Sequence, residues 1–192
     1  MIILREHVTV ERYIESFAAG CPESLKPTVC PSCGYEGKLH RHGRYLRKLF
    51  MVESEFEIPI YRFKCPCCKK AVGLLPSFVC EGSQVGLSIH EEVLRKRSEG
   101  ESLVKIENTL IVAGGPYSER TLWRWTRMWD IKLRIAAAGL WNYILTSMPH
   151  LTLLVGKLLP RDEWGHLFAA FKQLREKAGL LEHLSMAAAG GV

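Results

Sequence analysis

Cys30-Pro31-Ser32-Cys33-Gly34 and, further along, Cys65-Pro66-Cys67-Cys68-Lys69 are the stretches that decide how this chain is organised. Two cysteines separated by two residues on a tight turn supply half of the soft ligand set that a tetrahedral ion needs, and a second such turn supplies the rest. Gly34 can take the positive φ that lets backbone amides point at the thiolates. Cys30, Cys33, Cys65 and Cys68 are therefore the expected ligands of one structural Zn2+. Cys67 leaves one ambiguity, because only one member of the adjacent Cys67/Cys68 pair can easily complete the site; Cys68 has the CxxC spacing. Four protein thiolates leave no coordination position for water, so the ion should hold the fold and not catalyse. The 31 residues from Gly34 to Lys64 exceed the usual fifteen to twenty or so, and leave room for a basic hairpin turning near His42 and Gly43.

The remaining cysteines fit this reading. The chain has 7 cysteines, an odd number, and two CxxC pairs suit a metal site in a reducing compartment better than a secreted disulfide framework. The expected location is cytoplasmic. A redox role for CPSC would need a strand-helix-strand context that the surrounding sequence lacks. Cys21, Cys67 and Cys80 read as small buried or half-buried thiols. Near the N-terminus the apolar run is broken by Arg5 and Glu6, so it does not read as a secretory signal. Residues Ile135 to Gly156 contain no Asp, Glu, Lys or Arg and are long enough to cross a bilayer. Asn142, Thr146, Ser147, Pro149 and His150 argue against a span, and two buried helices hinged at Pro149 account for the same pattern. No membrane association is expected.

The 192 residues, 47% of them hydrophobic, suffice for one large domain or two small ones. Val10, Tyr13, Ile14 and Phe17 fall at helical spacing behind a Thr9 cap, and Gly20 ends that run. From Pro27 to Pro76 the pattern becomes knuckles and extended runs, with Phe56, Ile58 and Ile60 in partial alternation. Three helical runs follow, Ile89 to Arg97, Ser102 to Ile111 and Glu119 to Arg134, separated by turn signals at Gly100 and at Gly114, Gly115 and Pro116. The predicted class is α+β: a small zinc ribbon followed by a helix-turn-helix-like bundle and a helical tail. The expected divisions are an N-terminal helix and linker at 1–26, the ribbon at 27–80, the helix-turn-helix-like segment at 87–134 and a tail at 135–192.

A net charge of +6 and a pI near 9.0 favour a polyanionic partner. Between Cys30 and Pro76 nine basic residues face four acidic ones, leaving +5. Arg41, Arg44 and Arg47 crowd one segment with His40 and His42, a composition suited to phosphates. In the third helical run Leu122, Trp125 and Trp129 can face a core while Arg120, Trp123, Arg124 and Arg127 fall on another side. Ser118 is placed as its N-cap, and Leu103, Ile106 and Leu110 form a stripe to pack beneath it. Arg120, Thr121, Arg124 and Arg127 are the expected DNA contacts, from a helix lying in the major groove. The connection Val112 to Tyr117 is longer than the three or four residues of a tight helix-turn-helix turn, so a winged or irregular variant is the form to expect.

CPSCG, HRHGRYLRKL and IPIYRFKCPCCKKAVGLLPSF, followed by GESLVKI and SERTLWRW, resemble the zinc-ribbon and helix-turn-helix region of bacterial insertion-sequence transposases and of stand-alone transposase-associated proteins. The resemblance spans about Cys30 to Trp129. It implies a structural zinc on Cys30, Cys33, Cys65 and Cys68 and binding to double-stranded DNA through the helix bearing Arg120 and Arg124. It does not extend to the acidic-triad nuclease core of such enzymes, which positions three carboxylates on divalent metals. The only aspartates are Asp130 and Asp162, and too little chain follows Trp129 for that fold. The expectation is a DNA-binding accessory or truncated transposase that is not an enzyme and takes no small-molecule substrate, with room for a homo-oligomer. The competing expectation is a zinc-ribbon scaffold for protein interactions, with the tail run Trp164, Leu167, Phe168, Phe171 and Leu174 as its contact face.

Overall fold

The computed structural model describes residues 1–4, 6–152, 159–174 and 178–189. The chain has mixed α and β content and divides into two compact units, one comprising Met1–Phe50 with Ser54–Gly86, the other Met51–Glu53 with Leu87–Val192. The first holds strand β1 (Ile2–Ile3), helix α1 (Val10–Phe17), and strands β2 (His40–Phe50), β3 (Glu55–Lys64) and β4 (Ala71–Leu75). The second holds helices α2 (Leu87–Ser98), α3 (Leu103–Thr109), α4 (Glu119–Ser147), α5 (Pro160–Leu174) and α6 (Leu180–Ala189).

In the first unit the strand order is β1-β4-β3-β2, antiparallel except for the short parallel pair of β1 with β4. The expected hairpin turn near His42 and Gly43 is not there. Those residues lie within β2, where the pairing shifts register between Arg41 and Arg44 and Gly43 takes φ +99°. An extra residue accommodated by a glycine is a β-bulge, which bends a strand without reversing it. The reversal comes at residues 51–54, after Phe50 pairs with Glu55.

Thr9 caps α1 as expected, its hydroxyl accepting from the Arg12 amide at 3.3 Å. The helix buries Val10, Tyr13 and Phe17 and packs on β3. The N-terminal segment expected to stand apart at 1–26 thus falls within the sheet-bearing unit, its helix α1 packed on β3. Two tyrosines tie helix to sheet: the Tyr13 hydroxyl donates to the Pro59 carbonyl at 2.7 Å, and the Tyr61 hydroxyl donates to the Phe17 carbonyl at 3.0 Å. Pro59 is tolerated in β3 because β4 pairs only with Tyr61–Lys64, so no ladder bond from the missing N–H is required on that side. Leu49, Ile58, Ile60, Phe63, Leu74 and Leu75 fill the interior.

In the second unit Val93, Leu103, Ile106 and Leu122 form a common core for α2, α3 and α4, with Leu110, Tyr117 and Trp125 packed against it. The stripe Leu103, Ile106 and Leu110 thus lies under the third helix of the series as expected. Two expectations change. The boundary drawn after Arg134 falls inside α4, which runs unbroken for 29 residues because nothing between Glu119 and Ser147 is a proline and Leu133, Leu140 and Ile144 continue its buried stripe. The hinge at Pro149 does not join two helices directly: α4 ends at Ser147 with Met148 as its C-cap, and the next described helix begins at Pro160. Residues 153–158, which include part of the uncharged run, lie outside the described residues. No helix among those described is long and apolar enough to cross a membrane.

Of the tail face, Trp164, Leu167 and Phe171 are interior, at 2%, 0% and 7% exposure, and serve the core, while Phe168 and Leu174 are half-buried. Trp164 Nε1 donates to Asp130 Oδ1 at 2.8 Å. Helix α6 was not foreseen from the sequence. Its Leu180, Leu181 and Leu184 are buried, and its first turn is capped from α2 by Glu91, whose carboxylate accepts from the Leu181 amide at 3.1 Å.

Candidate metal centre and basic helix face

Each cysteine knuckle is built by the same backbone bonds. The Gly34 amide donates to the Cys30 carbonyl at 2.9 Å and the Cys30 amide to the Tyr35 carbonyl at 2.9 Å; the Lys69 amide donates to the Cys65 carbonyl at 3.1 Å and the Cys65 amide to the Lys70 carbonyl at 3.0 Å. The residue after each second cysteine is left-handed, Gly34 at φ +69° and Lys69 at φ +62°. Lys69 is the one non-glycine residue in that region among those described. A side chain there costs on the order of 1 kcal/mol, so a requirement for the turn outweighs the local preference of lysine.

These turns bring Cys30, Cys33, Cys65 and Cys68 together, with all four sulfurs within 4.8 Å of one another. The sulfurs of Cys30 and Cys68 are 3.7 Å apart, as are those of Cys33 and Cys65. Disulfides are about 2.05 Å long, so these are free thiols. A tetrahedral ion with metal–sulfur bonds of about 2.3 Å requires sulfur–sulfur edges of about 3.8 Å. The two edges match that figure, and the cluster is able to hold a metal ion. Cys68 completes the set; Cys67 is outside it and exposed, not the buried or half-buried thiol expected, because it lies within the turn between the two ligands. Cys30 and Cys65 are buried, Cys68 half-buried and Cys33 exposed.

The protonation chemistry of the cluster is divided. Amide donation from Ser32, aided by Cys33, draws the Cys30 thiol down to about 6. At Cys33 the Tyr35 amide favours the thiolate, but desolvation and the sulfurs of Cys68, Cys30 and Cys65 prevail and push it up to about 12. Four thiolates repel one another unless a cation sits between them, and a divalent ion reverses that balance. Cys21 and Cys80 are half-buried and buried thiols apart from the cluster, as expected.

The predicted basic residues fare differently. Arg41 lies with its guanidinium 5.5 Å from the Tyr61 ring centre, and Arg44 donates to the Tyr61 hydroxyl at 3.3 Å. Arg47 is turned inward, donating to the carbonyls of Cys80, at 3.1 Å, and Ser83. Its Nη2 holds the 80–83 loop to β2. On α4, Arg120, Arg124 and Arg127 are exposed and Thr121 half-buried. Among the described residues, Arg120 and Arg124 have no hydrogen-bond or ion-pair partner, while Arg127 lies 5.3 Å from the ring centre of the half-exposed Trp123.

Ser118 sits at the N-cap of α4 but makes no capping bond; its hydroxyl meets that of Thr121 at 3.2 Å. Glu107, on α3, accepts from the Glu119 amide at 2.9 Å instead. No local pattern announces this cap, because donor and acceptor are twelve residues apart. Leu110 to Ser118 separate α3 from α4, a longer connection than a tight helix-turn-helix turn.

Fold and cluster together define a unit with a four-cysteine cluster able to hold a metal ion, followed in sequence by a helical unit. The chain matches no protein-family model, no curated protein and no solved structure. The likeness to transposase ribbons therefore rests on the quoted residues alone.

Proposed function

We propose that this chain is a zinc-stabilised DNA-binding protein, akin to an accessory or truncated transposase, without a catalytic core. The observation that carries the reading is the outer face of α4. At 100° per residue, Arg120, Trp123, Arg124 and Arg127 fall within an arc of about 100°. Leu122 and Trp129, on the opposite side, are fully buried. A rigid helix anchored by its apolar side and presenting three guanidiniums on the other is the means by which major-groove readers combine phosphate attraction with base contacts. Glu107 already occupies an amide at the start of the helix, so phosphate contacts fall to the arginines and not to the helix terminus. An α3–α4 helix-turn-helix with an extended connection supplies the frame.

Zinc is the ion proposed for the cluster, since an all-thiolate tetrahedral set selects zinc or iron and a saturated zinc site is structural. The catalytic alternative has little to work with. Of the two aspartates, Asp130 accepts the Trp164 indole N–H.

The test is fluorescence anisotropy of a labelled duplex over a salt series, run on protein whose metal content has been measured by mass spectrometry. If Arg120, Arg124 and Arg127 each neutralise one phosphate, log Kobs should fall against log salt with a slope of about −2.7. Absence of salt-sensitive binding to duplex would overturn the DNA reading. Iron in place of zinc would overturn the metal assignment and leave the ligands standing.

A further inference from the structure

We infer that the α4 face is suited to DNA that carries an unpaired base, with the indole of Trp123 stacking on that base. The inference rests on the DNA-binding reading above and adds the kind of DNA that is bound. Among the five tryptophans, Trp123 is the one large aromatic left open. Trp129 and Trp164 are buried at 0% and 2% exposure, and their indole N–H groups donate to His90 and Asp130. Trp125 packs its ring against His90, at 4.3 Å, and Tyr117, at 5.0 Å, and Trp141 donates to Glu163 at 3.4 Å. Trp123 is 49% exposed, and the charged group against its ring is the guanidinium of Arg127.

The geometry of DNA decides what such a ring can do. An intact duplex shows the major groove only the edges of its bases, which are read by hydrogen bonds and methyl contacts. A flat indole finds no face to stack on until a base leaves the helical stack. An unpaired base exposes that face, and stacking beside cationic side chains is how single-stranded nucleic acid is held without regard to sequence. Here Arg127 covers part of the indole, and Arg120 and Arg124 stand on the same arc, free to meet the phosphates on either side of an extruded nucleotide. Three phosphate-binding groups around one stacking platform fit a bulged, frayed or mismatched site better than continuous B-form DNA.

The full chain, loaded with metal, is titrated against three labelled probes: a blunt duplex, the same duplex with a one-base bulge, and one of its single strands. The expected order is tighter binding of the bulged duplex than of the blunt one. Trp123→Leu keeps an apolar side chain but removes the ring, and should weaken binding of the bulged probe roughly tenfold while changing the blunt duplex less than about twofold. Trp123→Phe should restore most of the loss. Because the side chain is half in solvent, helical content should be unchanged in both variants, which circular dichroism checks. Equal affinity of the native protein for bulged and blunt duplex, or an equal loss on both with Trp123→Leu, overturns the stacking role while leaving DNA binding intact. Failure to bind any probe removes both readings.

Discussion

Replacing Cys68 by serine should dismantle the sheet unit, whereas replacing its neighbour Cys67 should leave it whole. Two opposed sulfur edges of the cluster are 3.7 Å long. In a regular tetrahedron the edge is about 1.63 times the distance from centre to corner, so an edge of that length corresponds to about 2.3 Å, the ordinary zinc–thiolate length. All four sulfurs lie within 4.8 Å of one another, so only a modest contraction is needed to close them on an ion. Structural zinc binding is worth about 10–16 kcal/mol at neutral pH, against a total stability of about 5–15 kcal/mol for a typical domain. Even a partial loss of the ion's contribution exceeds what a small sheet with one helix holds in reserve. The readouts are metal per chain by mass spectrometry and amide hydrogen exchange along β2 and β3. Cys68→Ser should hold less than one ion per chain and lose β2–β3 protection, while Cys67→Ser keeps both. All seven cysteines lie before Leu87 and all five tryptophans after it, so tryptophan emission serves as a separate report on the helical unit, which has its own core and should stay folded. Metal-depleted protein with full β2–β3 protection would refute the structural role of the ion. Loss of metal from Cys67→Ser, with Cys68→Ser unaffected, would refute the ligand assignment.

Three further outcomes follow from named contacts. Arg124→Ala should make the salt slope of duplex binding less steep by about one unit, whereas Arg47→Ala should leave that slope alone and lower the thermal midpoint of the sheet unit, because Arg47 holds the carbonyls of Cys80 and Ser83; the reverse pattern in anisotropy and melting would place the phosphate contact on the sheet. Burial, with a smaller push from Lys132, lowers the pKa of His90 to about 3 from an ordinary value of 6.5, so the folded state favours the neutral ring. The stabilisation is present above pH 6.5 and is lost as pH falls towards 3, at up to about 1.4 kcal/mol per pH unit. The stability advantage of native protein over His90→Gln in urea melts should shrink over that window, and an advantage independent of pH would mean the ring is not buried as a neutral base. Tyr13→Phe removes the donor to the Pro59 carbonyl and should cost about 1–3 kcal/mol of the sheet unit's stability in denaturant melts; an unchanged midpoint would mean that water replaces the hydroxyl.

The parts of the structure governed by local chemistry were legible in the sequence. Thr9 and the spacing of Tyr13 and Phe17 mark α1, and the CxxC pairs fix the ligands because a knuckle is made within five residues. Leu103, Ile106 and Leu122 declare a shared core through helical period alone. What was not legible depends on partners far along the chain. Gly43 reads equally as a turn or a bulge until the strand opposite is known, and the pairing of β2 with β3 decides for the bulge. Arg47 looks like its neighbours Arg41 and Arg44 in sequence, yet the loop at Cys80 to Ser83 claims it. The cap on α6 comes from Glu91, ninety residues before the amide it holds. Charged residues thin out after Arg134, but a change in charge density does not end a helix whose buried stripe continues through Leu140 and Ile144.

The matching backbone rings of the two knuckles have a kinetic consequence. Each is closed by bonds within five residues, so each can form as a two-toothed claw before the sheet exists. An ion caught by the first claw must then wait for 31 residues of chain to deliver the second, a closure costing about 3 kcal/mol in chain entropy beyond a constant. The pairing of β2 with β3 offsets that cost and brings the claws together. Assembly of the site is thereby paced by the zipping of a hairpin, and once the first claw is saturated its rate no longer depends on how much metal surrounds it.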